Sequence, residues 1–93
     1  MPDALFRGGL PAEVTGTVCS VTGKTARGIP WATARIAGVA LDLNLYPRLW
    51  DLYWRDIRPG ARLRVTGRVD ARKPRRLAVA VSQVALLGED APR

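Results

Sequence analysis

Tyr46 to Ile57 is the stretch of this 93-residue chain whose apolar residues repeat with a helical period. Tyr46, Leu49, Trp50, Tyr53, Trp54 and Ile57 fall at i, i+3, i+4 and i+7 spacing, which gathers them on one helical face. Pro47 suits the first turn, where its missing N–H has no intrahelical partner to lose, and Pro59-Gly60 cannot continue a helix. The spacing predicts about three turns of helix. Asp51 stands four residues before Arg55, a weakly favourable pair on the solvent face. The flanking sequence alternates with a period of two, so this helix must lay its apolar stripe on a structure otherwise made of strands.

In chain order, residues 1–11 carry two prolines, a Gly-Gly pair and no periodicity, and read as a loosely held arm. Val14, Gly16 and Val18 share one side of a first strand, while Cys19 and Val21 fall out of phase, which predicts a bulge. Thr22 to Gly28 reads as a loop from its glycines and small polar residues. Ala32, Ala34 and Ile36 then point inward, with Trp31, Thr33 and Arg35 outward. Gly38 allows a reversal into a third strand with Val39, Leu41, Leu43 and Leu45 inward and Ala40, Asp42 and Asn44 outward. After the helix, Leu63, Val65 and Val69 alternate with basic and polar residues, and Gly67 takes an inward position where a coiled strand can bend. Ala71 to Arg75 is a basic turn, and a last strand through Leu77, Val79 and Val81 resumes at Val84 and Leu86 after a phase slip near Ser82-Gln83. The domain is thus expected over 12–87, with a polar tail over 88–93.

Composition narrows the function. A chain of this length, 47% hydrophobic, has material for one small core. Cys19 has no intrachain partner and histidine is absent, so Cys/His metal sites are excluded and a cytoplasmic compartment is expected. No apolar run approaches signal-peptide or membrane-span length, so no membrane partner is expected. Net charge is +7, which implies an anionic partner. Thirteen of the fifteen basic residues are Arg, which a GC-rich coding sequence would also produce. Placement favours the partner: Arg62 to Arg76 holds seven basic residues against the single Asp70.

Strand, strand, strand, helix, strand, strand is the order of the OB-fold, a five-stranded Greek-key barrel with its helix between strands 3 and 4. An SH3-like barrel is the alternative, but it usually has no three-turn helix there. Within this frame Val14–Val18 (V-T-G-T-V), Thr25–Gly38 (T-A-R-G-I-P-W-A-T-A-R-I-A-G), Leu43–Trp50 (L-N-L-Y-P-R-L-W) and Arg58–Asp70 (R-P-G-A-R-L-R-V-T-G-R-V-D) together resemble a known family. It is the nucleic-acid-binding OB module near the C-terminal end of bacterial replicative DNA polymerase III alpha subunits. A looser likeness extends to the exonuclease VII large subunit and RecG-type helicases. The chain departs from the family at Ala37, where an acidic residue commonly precedes the glycine. The resemblance implies a single-stranded nucleic acid ligand, DNA in preference to RNA, and no chemistry of its own.

OB barrels bind on the outer face of strands 2 and 3, between the loops joining strands 1–2 and 4–5. On that face Trp31 can stack on an unstacked base or, alternatively, fold over the barrel edge. Thr33 and Arg35 share its side, Arg35 able to stack or to pair with phosphate, and Asn44 can read a base edge. Lys24 and Arg27 supply one basic rim, and Arg72, Lys73, Arg75 and Arg76 the other. Tyr46 is assigned to the core with the helix stripe. Trp50 and Trp54 are expected to plug the barrel bottom.

Catalysis and cofactors are not expected. Gly23-Lys24-Thr25 matches the end of a phosphate-binding loop, but Val18 stands where that motif needs Gly and no helix follows. Cys19 and Ser20 have no histidine to activate them. Two expectations remain: a single-stranded nucleic acid binder, or an OB-fold protein-interaction module within a replication or plasmid-maintenance assembly.

Overall fold

The computed structural model describes residues 10–70 and 77–89; residues 1–9 of the arm predicted over 1–11, the basic turn at 71–76 with Arg72, Lys73, Arg75 and Arg76, and residues 90–93 of the tail predicted over 88–93 lie outside them, while Pro11 and Gly88-Glu89 belong to strands. Strands β1 (Pro11–Ala26), β2 (Ile29–Ile36) and β3 (Asp42–Leu45) precede helix α1 (Pro47–Tyr53), and β4 (Ala61–Asp70) and β5 (Ala78–Glu89) follow it. The strands close a barrel in the order β1-β2-β3-β5-β4. Closure depends on the length of β1, whose first half pairs with β4 (Pro11↔Arg68 to Thr17↔Arg62) and whose second half pairs with β2 (Val18↔Ile36 to Ala26↔Ile29). One parallel pair, β3 with β5, completes the ring (Leu43↔Val79), and all other pairs are antiparallel. This is the predicted OB arrangement, with its helix between β3 and β4.

The interior is filled from the expected inward rows, except on the last strand, where Leu77 and Leu86 are exposed. Val18, Ala34, Ile36, Leu43, Leu45, Leu63, Val65 and Val79 are buried in one cluster. Where the apolar phase slips in the sequence, the ladder slips too. Register shifts between Val18 and Ser20, leaving Cys19 exposed on the bulge, and again on β5 opposite Thr66 and Gly67, where Ser82 is the extra residue. At that second bulge the strands come very close. A Cβ built on Gly67 would lie 2.1 Å from the Ala80 carbonyl oxygen.

Three elements differ from the sequence-based expectation, and the simplest is β3, which begins at Asp42 and not Val39, with Val39 and Leu41 packed partly buried against the core ahead of it. Residues Thr22 to Ala26 are the outer end of β1, paired through Lys24↔Trp31 and Ala26↔Ile29, and the loop shrinks to Arg27-Gly28. Both turn residues have positive φ (53° and 80°), the backbone of a type I′ hairpin turn, whose twist suits the flanking strands. Residues 22–30 are all exposed, so this ribbon has no buried face and leaves no apolar alternation to read.

The helix is shorter than predicted. α1 has 7 residues, about two turns, and gives way after Trp54 to a turn in which Asp56 and Ile57 N–H both donate to the Tyr53 carbonyl. That turn drops Ile57 into the core at 2% exposure, while Leu49, Trp50 and Tyr53 pack partly buried against the cluster. The predicted tryptophan plug is therefore corrected: Ile57 is the fully buried residue, Trp50 contributes one side, and Trp54 is 51% exposed with the Arg55 guanidinium 5.0 Å from its ring centroid. Each helical residue advances about 100°, so Trp54, one step beyond Tyr53, lies at the margin of the stripe and turns to solvent.

Candidate functional site

The twist of β2 and β3 leaves their outer faces as the floor of a groove of about 550 Å³. Strand pairing arranges this floor in three transverse rows. Lys24 faces Trp31 across β1 and β2; Thr22 faces Thr33, which faces Asn44; Ser20 faces Arg35, which faces Asp42. Because alternate residues share a side, Asp42, Asn44 and Tyr46 lie in phase, and Tyr46 falls beside Trp31 at the end of the first row. Asp70 and Ala78 complete the wall beyond Asp42.

The aromatic end is built from Trp31 and Tyr46, whose ring centroids are 5.4 Å apart at an interplanar angle of 30°. Tyr46 is 36% exposed, which corrects its assignment to the core. Lys24 Nζ lies 5.1 Å from the centre of the Trp31 ring. At an exposed site such a contact contributes about 0.5–1 kcal/mol, less than the roughly 1–3 kcal/mol of a base–aromatic stack, so a base can displace the ammonium. The released Lys24 would then be placed to meet a phosphate.

The middle row is polar and held in register. Thr33 Oγ1 donates to Asn44 Oδ1 at 3.0 Å, and Asn44 Nδ2 reaches the Tyr46 hydroxyl at 3.5 Å. The first bond occupies the amide oxygen and aims the NH₂ toward the aromatic end, through a longer bond than a typical N–H···O. Asn44 thus presents a donor on this floor. In the third row Arg35 Nε donates to Asp42 Oδ1 at 2.9 Å, an ion pair that orients the guanidinium along β2 and β3. With Lys24 and Arg35 facing Asp42 and Asp70, the groove floor has no net charge. An excess of positive charge around it must come from the rims.

Of the residues named from sequence, Lys24, Trp31, Thr33, Arg35 and Asn44 come together on this floor. Arg27 stands at the tip of the β1–β2 ribbon, beyond the groove lining. Arg72, Lys73, Arg75 and Arg76 fall outside the described residues, between β4 and β5. Sequence reasoning missed Ser20, Thr22, Tyr46, Asp42 and Asp70 as lining residues. For Tyr46 the signal was its phase with Asn44; for Ser20 and Thr22 it would have required the hairpin register.

Neither the protein-family models nor the curated proteins compared with this chain give a match. Among the described residues, no helix is long and apolar enough to cross a membrane.

Proposed function

We propose that the protein binds single-stranded nucleic acid, DNA in preference to RNA, without catalysing a reaction, across the outer face of β2 and β3. The observation that carries this reading is the partly exposed Trp31–Tyr46 pair, set on an open polar floor between a lysine and an amide donor. Every base has a face that can stack on such a pair, which suits an unpaired strand and gives little sequence preference. The OB arrangement supports it, because this is the face that OB barrels use for oligonucleotides. The likeness of four segments to the polymerase III OB module supports DNA. Specificity within the groove would come from Asn44 and Thr33, and affinity from charge at the two rims.

Titration with a fluorescent single-stranded oligonucleotide tests the proposal, and Trp31→Ala is its most direct variant. Loss of the stack should weaken binding by about 1–3 kcal/mol while unfolding remains cooperative. A lowered melting temperature with unchanged affinity would make Trp31 a packing residue.

The rims are tested through salt. Each cation that neutralises a phosphate on a single strand contributes about −0.7 to the slope of log K against log salt. Replacing Arg72, Lys73, Arg75 and Arg76 by Gln should flatten that slope by roughly 1.4–2.1 if two or three of them contact phosphate, with affinity falling alike for all sequences. Arg48→Gln, Arg55→Gln and Arg58→Gln together are the control, acting through the long-range field alone. Equal losses from the two sets would mean that net charge, and no defined groove, holds the strand.

A further inference from the structure

Behind the aromatic end of the groove is a second concavity of about 550 Å³, chemically unlike the first. Ile29 and Pro30, just after the turn at the tip of the β1–β2 ribbon, form one wall, and Pro47, Trp50 and Trp54 of the helix region form the other. Arg48 and Asp51 stand at its edge, and Arg55 lies over Trp54. Ile29 is 52% exposed, as is Trp54 at 51%. Single exposed apolar residues are ordinary, but a hollow that joins three of them, Ile29, Pro30 and Trp54, to the partly buried Pro47 and Trp50 is the signature of a contact surface.

We propose that this pocket receives a short acidic segment of a partner protein, one carrying one or two large apolar side chains. The walls favour an apolar side chain over a nucleobase. A base buried there would leave its ring nitrogens and exocyclic groups short of hydrogen-bond partners, whereas Leu or Phe has nothing to leave unpaired. At the edge Arg48 is offset by Asp51, but the Arg55 guanidinium lies over the ring of Trp54 and the whole chain is at +7, so the flanking residues that fit are Asp and Glu. Prolines at positions 30 and 47 fix the backbone on both sides, so the pocket does not have to be ordered on binding. This site does not depend on what the groove binds. Pro30 and Pro47 directly adjoin Trp31 and Tyr46 in sequence, so a partner held here would sit next to whatever occupies the groove.

The test uses the full chain and a short fluorescent peptide of Asp and Glu carrying one Phe and one Leu, with a control peptide in which both are Gly. Anisotropy should report binding of the first peptide and not the second. Trp54→Ala, at a half-exposed position, should weaken it about thirtyfold, the loss of a central anchor, and Ile29→Ser should weaken it from the opposite wall. Arg48→Gln with Arg55→Gln should cost about fivefold at low salt and less as salt rises. Oligonucleotide affinity should be unchanged by Trp54→Ala. The proposal is overturned by no binding of the Phe/Leu peptide, by equal binding of the Gly peptide, or by a Trp54→Ala loss as large for oligonucleotide as for peptide. The last result would make the pocket an extension of the nucleic-acid groove.

Discussion

Gly67→Ala is expected to destabilise the barrel by roughly 3 kcal/mol or more, enough to leave a domain of this size largely unfolded at modest denaturant. The reason is steric and lies entirely in backbone. A methyl at this position would stand 2.1 Å from the Ala80 oxygen, 2.9 Å from the Ala80 carbonyl carbon and 2.9 Å from the Val81 Cα. No rotamer change relieves such contacts, so β5 has to move away from β4 at the bulge, where register already shifts. Gly23→Ala is the matched control. Gly23 lies on the exposed ribbon with nothing within 4 Å of its built Cβ, and Ala there should be neutral or stabilise by about 0.5 kcal/mol, because Gly in a strand loses more backbone entropy. Denaturation midpoints for the two variants decide the matter. A Gly67→Ala midpoint equal to that of the unmodified protein would mean that the bulge is slack enough to hold a methyl.

The second large effect separates Ile57 from the tryptophan beside it in the apolar stripe. Ile57→Ala should destabilise by about 2–5 kcal/mol, since the side chain is buried at 2% exposure within the core cluster and its truncation leaves a cavity there. Trp54→Ala removes a larger side chain and should cost less than about 1 kcal/mol, because half of its surface is already in water. Thermal or urea unfolding of the two variants measures the difference. The reverse order, with Trp54→Ala the more damaging, would restore the tryptophan as the plug that its sequence spacing suggested.

The barrel was legible from the chain wherever a strand has one wet face and one dry face. Leu43 and Leu45 on β3, and Leu63 and Val65 on β4, announce their direction by alternation, and the two phase slips at Cys19 and Ser82 mark real bulges. The ribbon was illegible for the opposite reason: with both faces in water, nothing in Thr22–Ala26 selects apolar residues at every second place. Its turn was nevertheless written in the sequence, since Gly28 after Arg27 is the residue type that a two-residue hairpin favours. The end of the helix was obscured by Ile57, which keeps helical spacing while being reached through a turn. In the groove, Trp31, Thr33, Arg35 and Asn44 followed from phase along single strands. Tyr46 was claimed by two patterns at once, being in phase with both β3 and the helix stripe. Asp42 shares the outward phase of Asn44, but Asp70 reaches the groove, and the floor becomes neutral, only through the pairing of β3 with the distant β5.

The place of β5 between β3 and β4 has a consequence for how the protein is made. During vectorial synthesis the first four strands can pair as β1 with β2, β2 with β3 and β1 with β4, leaving a curved sheet whose two outer edges are β3 and β4. Both edges then carry unmatched amide and carbonyl groups beside apolar side chains, the condition under which nascent chains associate with one another. Only when the fifth strand clears the ribosome can it satisfy both edges in one step, parallel to one neighbour and antiparallel to the other. The barrel should therefore gain its structure late and all at once, and a chain stalled before Ala78 would be a sheet with two adhesive margins.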